Sequence, residues 1–536
     1  MKKLLKRLCS AMVAAVMVMT MAPAAFAADG GAQFQNGPYL LAPKTNSMVV
    51  VWESTEKVSA TIAYGTDESK LCDPIKVEID ADAPDFKGSK MNLFHYKLDN
   101  LTPGTRYYYE VKLEGGATCK ASFKTLSEKP DQIRLITLSD SHIFATRAEL
   151  DQAIKEFDPD LLLHCGDMVE GTGAQAEQFS FWFQGKVDND YIHSYPVVYS
   201  SGNHDQGGIY FDTYVYSIQD EEYGAEVEGD SSLNYAGLHI ITMNSNPWGL
   251  FQMNSEATGQ TADAATIKTI DNAMNWLKKD LATDAAKNAE FRMIFMHHPV
   301  SDAYTKRYIP AVIEPGKVDL LLSGHTHSYA RAVSSDPAVG AGTIYLTHQD
   351  ARTYNKKGDF FYITSTPGSG ILDVKNYGAT AEGQESKVAN ETLVAKDKQQ
   401  LSWSDISISP NEVLYNGEVT VTAKVTNNGK GLAAAVIPVQ DNGKTRYLYQ
   451  FKDGVVTLDP GKSTTLTGTL RMESLGTHTL KLADKTATVN VKYRPATFDY
   501  TNIRTQQGNG ETSDMNSNVL HIKADVVNIG NDAGTG

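Results

Sequence analysis

The sequence predicts a multidomain protein in which a central α/β domain is flanked by all-β sandwiches. Three observations carry this. Between about Ile133 and Asp373, five apolar runs (IRLITL, DLLLHC, YPVVYS, RMIFM and VDLLLS) read as buried strands alternating with helical stretches. Each run leads directly into a cluster of polar groups suited to binding metal: Asp140-Ser141-His142, Gly166-Asp167, Gly202-Asn203-His204-Asp205, His297-His298-Pro299 and Gly324-His325-Thr326-His327. On either side of this region the chain changes to short alternating strands separated by turn signals. A strand delivers the residues after it to the rim of its sheet, so the five clusters are expected to meet along one sheet edge.

Residues 1–27 read as a secretory signal peptide. Lys2, Lys3, Lys6 and Arg7 form a basic start, Ala11 to Met21 an apolar core, and Ala25-Phe26-Ala27 a cleavage site. A secreted, extracellular or cell-surface protein is therefore expected. No later run reaches the ~18 apolar residues of a membrane-spanning helix. Residues 33–126, with MVVVW, ATIAYG, YYYEVKL and a turn at Leu101-Thr102-Pro103-Gly104, suit a small β-sandwich. Ser127 to Asp131 read as a linker, and 133–373 as the α/β domain. Its clearest helix is Ala262 to Leu281, where Ile267, Ile270, Met274, Leu277 and Leu281 make one apolar stripe. The polar stretch 374–401 reads as a second linker, and 402–493 as another sandwich. VTVTAKVTNNG (419–429) recurs as LHIKADVVNIG (520–530), 101 residues later. Residues 496–536 thus read as a partial second module, expected if the chain is a piece of a longer one.

Loss of residues 1–27 removes four positive charges and no negative one, taking the net charge from −15 to −19. Such a chain repels phosphate backbones at long range, so duplex nucleic acid is not an expected partner. Cys9 leaves with the signal. Cys72 and Cys119 lie in the first sandwich, where an oxidising compartment would allow them to pair. Cys165 follows a buried strand and reads as a small core residue.

The clusters suit hydrolysis at a two-metal site, which needs a bridging carboxylate, further N and O ligands, and an acid for the leaving group. Asp167, the lone carboxylate of a Gly-Asp turn, is the natural bridge. Asp140 and His142, like His325 and His327, stand two residues apart and can project from one side of an extended strand end. Asn203 offers an amide oxygen. If Asn203 ligates, its neighbour His204 points elsewhere and is free for general-acid work, with Asp205 able to orient its ring. Six of the thirteen His residues lie in the clusters. His193 and the segment Gln206–Gly259, with Trp248 and Phe251, are candidates for a lid, although packing is the commoner role of such aromatics.

In this order the clusters resemble the calcineurin-like metallophosphoesterase superfamily, whose pattern is D-x-H, G-D, G-N-H-[DE], a lone His and G-H-x-H. The resemblance implies two divalent or trivalent metal ions (Fe, Mn or Zn). One would take Asp140, His142, Asp167 and His327. The other would take Asp167, Asn203, His297 and His325, with His298 the alternative to His297. It also implies attack on phosphorus by a metal-bridging hydroxide, with His204 protonating the departing alkoxide. GHTHSYAR (324–331) and the sandwich at 33–126 are similar to the purple acid phosphatase branch and its fibronectin-like N-terminal domain. Two departures set this chain apart: Glu170 stands where that branch carries a tyrosine ligand, and His142 where it usually has Gly. Tyr329 and Arg331 are candidate substrate contacts, Arg331 equally a structural ion-pair partner. The 402–493 sandwich loosely resembles CARDB-type adhesion modules, which suit a cell-wall or surface glycan.

Two functions are compatible with these features. The first is a secreted phosphatase or phosphodiesterase acting on a phosphate-ester substrate. The second is a cell-surface adhesion or scaffold protein with a vestigial phosphoesterase domain. The complete ligand set favours the first.

Overall fold

The computed structural model describes residues 31–80, 85–86, 89–142, 148–171, 176–184, 190–206, 209–249, 262–300, 303–313, 317–336, 340–349, 359–378, 387–396, 401–436, 438–447, 455–493, 498–507 and 520–529. Residues 1–27, read as a signal peptide, and Phe251 lie outside these residues. The chain forms two compact units, one of residues 1–334 and 342–396, the other of 335–341 and 397–536.

The first unit opens with β1 (Phe34–Leu41), β2 (Met48–Ser54), β3 (Ala60–Gly65) and β4 (Ile75–Val77). Next are the two-residue strands β5 (Asp85–Phe86) and β6 (Ser89–Lys90), then β7 (Leu93–Leu98), β8 (Arg106–Leu113) and β9 (Thr118–Lys124). They make a three-stranded sheet, β1-β2-β7, and a four-stranded sheet, β4-β3-β8-β9. Leu40, Val50, Trp52, Phe94, Tyr109, Val111 and Phe123 form a buried core here. Cys72 and Cys119 are both free, one exposed and one buried, so the two do not pair.

The α/β region contributes β10 (Ile133–Leu138), α1 (Ala148–Phe157), β11 (Leu161–His164), α2 (Ala176–Phe183), β12 (Val197–Tyr199) and α3 (Ser217–Tyr223). Next come β13 (Ser231–Tyr235), β14 (Leu238–Thr242), α4 (Ala264–Asp280), α5 (Asp284–Asn288), β15 (Phe291–Phe295), α6 (Ala303–Ile313) and β16 (Leu320–Ser323). It closes with β17 (Ala330–Asp336), β18 (Gly340–Thr347), β19 (Asp359–Ser365), β20 (Ile371–Gly378) and β21 (Lys387–Ala395). These strands form two six-stranded sheets, ordered β12-β11-β10-β19-β20-β21 and β13-β14-β15-β16-β18-β17. Strands β10, β11 and β12 run parallel, as do β14, β15, β16 and β18. Leu161–Leu163 and Leu320–Leu322 are wholly buried, which explains the continuous apolar runs.

Three expectations need correcting. The five strands that carry the clusters belong to two sheets, so the site is not built along a single sheet edge. The stretch read as a linker from 374 is largely strand: β20 and β21 pair antiparallel and extend the first sheet outward. Being antiparallel outer strands, they bury one set of side chains (Leu372, Val374, Thr392, Val394) and interleave polar ones, so they look polar overall. Helix α4 starts at Ala264, where Asp263 caps it by accepting the Thr266 N–H at 2.7 Å. Ile270, Met274 and Leu277 face the core, but Ile267 is 46% exposed and leaves the stripe.

The N-terminal sandwich and the α/β region share a core. Tyr39, Leu41, Val49, Val51 and Leu93 pack in one cluster with Ile136, Phe179, Phe183, Tyr199 and Tyr214. Tyr39 donates to the carbonyl of Tyr214 (2.7 Å), whose own hydroxyl donates to Glu53 (2.8 Å). Tyr109 donates to the His193 carbonyl (2.8 Å), and His193 Nδ1 bonds the Pro38 carbonyl. His193 is therefore a buried tie between sandwich and α/β region, not part of a lid. The described part of 206–259 is also core: Tyr210, Phe211, Tyr214, Tyr216 and Trp248 are all buried.

The second unit includes β22 (Leu401–Trp403), β23 (Ser407–Ser409), β24 (Glu412–Leu414), β25 (Glu418–Asn427), β26 (Ala433–Val436), β27 (Pro438–Asp441) and β28 (Lys444–Tyr447). It continues with β29 (Val455–Leu458), β30 (Ser463–Arg471), β31 (Gly476–Leu482), β32 (Lys485–Lys492), β33 (Phe498–Gln507) and β34 (Leu520–Asn528). β25 is joined by β22, β23 and β30, and a second sheet runs β24-β32-β31-β27-β28. Val419, Val421, Val425, Leu466, Leu480 and Val489 fill the core. The repeat falls on β25 and β34. Leu401 pairs with Asn427 in the first copy, and Phe498 with Asn528 in the second. Val421 and Val425 are buried, whereas their counterparts Ile522 and Val526 are 67% and 51% exposed.

Candidate metal centre

Each expected cluster sits in the turn directly after its strand. The backbone is left-handed at Asp140 (φ 51°), His142 (48°), Asp167 (57°), His325 (71°) and His327 (51°). Non-glycine residues adopt this conformation at a cost, and such residues gather at functional sites. The turns also close tightly: a Cβ on Gly202 would collide with the Asp167 carboxylate, and one on Gly324 with Ser139 and Asp140.

Asp140, His142, Asp167 and His327 bring one ligand atom each to within 4.8 Å of one another. His327 Nε2 lies 3.1 Å from Asp140 Oδ1 and 3.4 Å from His142 Nε2. Beside them, the Asn203 side-chain oxygen is 3.1 Å from His297 Nε2 and 2.8 Å from His325 Nδ1, while His297 Nε2 is 3.1 Å from Asp167 Oδ2. Ligands held at about 2.0–2.2 Å from one ion stand roughly 3 Å apart, so the donor set fits two adjacent cations sharing Asp167. The imidazoles are aimed accordingly. His142 Nδ1 bonds the Val169 carbonyl (3.0 Å) and His297 Nδ1 the Cys165 carbonyl (2.9 Å), so in each ring Nε2 is the nitrogen turned to the site.

Asp140, His142, Asp167 and Asn203 come from the first sheet, and His297, His325 and His327 from the second. Each cation position would thus be gripped from both sheets. Asp140 strengthens the seam by accepting the His325 N–H (3.0 Å).

Electrostatics agree with a site made for cations. Burial would raise both Asp167 and Asp140, but neighbouring imidazoles, His297 at Asp167 and His327 at Asp140, hold them below the usual carboxylate range. Burial alone would depress His297, yet the adjacent Asp167 carboxylate pushes it up to about 9. A proton therefore sits where a metal would, and loading at pH 7 should release it. Below pH 9, metal affinity should fall by about tenfold per pH unit from this proton alone. Calorimetry in buffers of different ionisation heat would measure the release.

His204 takes a separate place. Its N–H donates to Asp167 (2.8 Å), but its ring belongs to neither ligand group: Nδ1 bonds the Glu170 carbonyl at 2.6 Å, leaving Nε2 as the outward nitrogen. The ring stands edge-on to His142, centroids 5.1 Å apart. Glu170 Oε2 lies 3.2 Å from His142 Nδ1, so it backs that imidazole. Arg331 Nη1 is 3.4 Å from the Glu391 carbonyl and 3.5 Å from Thr392 Oγ1, long contacts that link β17 to β21 and fit its structural reading. Tyr329 stands edge-on to Phe361.

Asp205 does not orient His204. Its buried carboxylate accepts backbone N–H groups of Asp167, Met168 and Gly202, each at 2.8 Å, and of Val169 at 3.3 Å. It thereby locks the Gly166-Asp167 turn to the Gly202-Asn203 turn. Burial and then the neighbouring Asp167 charge push its pKa up to about 7. Asp205→Ala should weaken metal binding by about 10- to 100-fold without removing a ligand, as loss of a supporting shell does; metal titration of the purified variant measures it. His164 is a supporting residue that sequence reading passed over. It accepts the Gly166 N–H (3.1 Å) and bonds Ser141 Oγ (2.8 Å), bracing two ligand turns. Burial lowers its pKa to about 3, so it works as a neutral ring.

Seven candidate ligands meet at the seam of two sheets, and their His and Asp groups could hold metal. Residues 133–329 match the family described as calcineurin-like phosphoesterase, and 38–125 that described as purple acid phosphatase, N-terminal domain. The protein thus carries a calcineurin-like phosphoesterase domain preceded by a purple acid phosphatase N-terminal domain. Among solved structures, it is similar to one described as the structure of PhoD, at 11% identity over 69% of this chain and 92% of that one, TM-score 0.49. GAP50, described as the anchor in the inner membrane complex of Plasmodium, matches at 13% identity over 51% of this chain and 91% of that one, TM-score 0.35. Vps29 of Chaetomium thermophilum matches at 10% identity over 49% and 99%, TM-score 0.25. No curated protein matches the chain.

Proposed function

We propose that the protein is an exported phosphoesterase with a dinuclear metal centre, and that His204 is its general acid. The observation that carries this reading is the meeting of all seven candidate ligands, with donor atoms 2.8 to 3.4 Å apart across the seam. Metal ions bound there (Fe, Mn or Zn) would supply Lewis acidity and an activated water. The chain's residues do the rest. Asp167 would share its carboxylate between the two positions, and the imidazoles with Asn203 would hold the ions that set where a phosphoryl group sits. His204, outside both ligand groups and with Nε2 outward, is positioned to give a proton to the departing oxygen. Export rests on the N-terminal sequence; N-terminal sequencing of the protein from culture medium would test it. Among the described residues no helix is long and apolar enough to cross a membrane.

The deciding experiment is hydrolysis of p-nitrophenyl phosphate and bis-p-nitrophenyl phosphate with bound metal quantified in the same sample. Turnover of either ester with about two metals per chain supports the reading; full metal occupancy with no turnover of any ester would sink it in favour of a scaffold. His204→Ala should retain its metal and lose about 10²- to 10⁴-fold in turnover, most with poor leaving groups. Loss of metal in that variant would reassign His204 as a ligand.

A further inference from the structure

His298 is not needed to complete either ligand set, yet it is fully buried beside them. It offers a ring nitrogen within 4.8 Å of those of His297 and His325, with its ring 4.5 Å from that of His325. One side of the ring is fixed. Ser245 Oγ accepts the His298 backbone N–H at 3.0 Å and stands 2.9 Å from Nδ1. A hydroxyl that accepts from the N–H has its own proton left to donate to Nδ1. That leaves the ring's proton on Nε2, which has no hydrogen-bond partner among the described residues. Gly249 lies flat against the ring, where a Cβ would collide with it. A buried, unsatisfied donor costs about 1–3 kcal/mol, so a group beyond the described residues is called for to accept from it.

We infer that His298 is a substrate-binding residue whose Nε2–H donates to a phosphoryl oxygen of the ester, and afterwards to the product phosphate, on the His297–His325 side of the centre. The inference rests on the phosphoesterase reading. It separates His298 from its neighbour: His297 meets the metal position, His298 meets the ligand bound there.

Two variants test it. In His298→Asn the amide can keep the Nδ1-like contact with Ser245 but not the Nε2 donor; in His298→Gln the amide can reach the Nε2 position. Metal content, melting temperature and inorganic phosphate binding by calorimetry would be measured on metal-loaded protein, with KM and kcat for an aryl phosphate. His298→Asn should keep both metals, weaken phosphate binding by about 10- to 100-fold and raise KM, as loss of a hydrogen bond to a charged group does. His298→Gln should recover much of this. Loss of one metal in either variant would overturn the inference by making His298 a ligand. Unchanged phosphate affinity and KM in His298→Asn would overturn it by making the ring ordinary core. If metal-loaded wild type neither binds phosphate nor hydrolyses the ester, the phosphoesterase reading itself falls, and this inference with it.

Discussion

Asp167→Asn should strip the centre of metal and abolish hydrolysis together, a loss well beyond the roughly 10- to 100-fold typical of supporting residues. Among the described residues, Asp167 is the carboxylate that lies between the two candidate ligand groups. It touches His297 at 3.1 Å and belongs to the group with Asp140, His142 and His327. An amide at this position carries no charge and turns an N–H₂ toward one neighbour, so neither cation keeps its shared anion. The fold should survive, because Asp205 ties the two turns together as well and an Asn at 167 keeps an oxygen to accept the His204 N–H. Metal analysis and circular dichroism on the same sample test this. Retention of both metals would show that the carboxylate is not a bridge.

Excision of the N-terminal sandwich, residues 31–126, should leave an α/β region that aggregates or fails to fold. Sandwich and α/β region share one core, to which Tyr39, Leu41, Val49, Val51 and Leu93 contribute from the sandwich side. Each such side chain contributes about 1.5–3 kcal/mol when buried. Whole-domain stabilities are only about 5–15 kcal/mol. The cut would also leave Tyr214 without Glu53, and His193 without Pro38. Soluble expression and a cooperative melt of residues 127–396 would contradict the shared-core picture.

The candidate ligands were legible because a ligand turn is local: a buried run, then, in three of the five clusters after a Gly, Asp, Asn or His. Their grouping came from the family resemblance, because spacing alone keeps Asp140 with His142 but does not tell that His325 and His327 go to different groups. Features that depend on distant parts of the chain were less readable. Strand order is a long-range property, so one sheet edge was expected where two sheets meet. Asp205 was assigned to His204 because they are adjacent, but a buried carboxylate between two turns satisfies backbone donors first. His164 looks like the last residue of an apolar strand; its position two before Gly166, whose N–H it accepts, was the available signal. Strands β20 and β21 read as linker because one of their faces is polar. His193 gave no sign of reaching Pro38, 155 residues away.

The division of ligands between two sheets also fixes an order of events during folding. An unfolded chain can offer only local pairs, Asp140 with His142 or His325 with His327, far too few to hold a cation. Asp140 and His327 lie 187 positions apart and meet only after both sheets have formed and faced each other. Capture of an ion by both halves would therefore come after each was made, as the closing of a clasp.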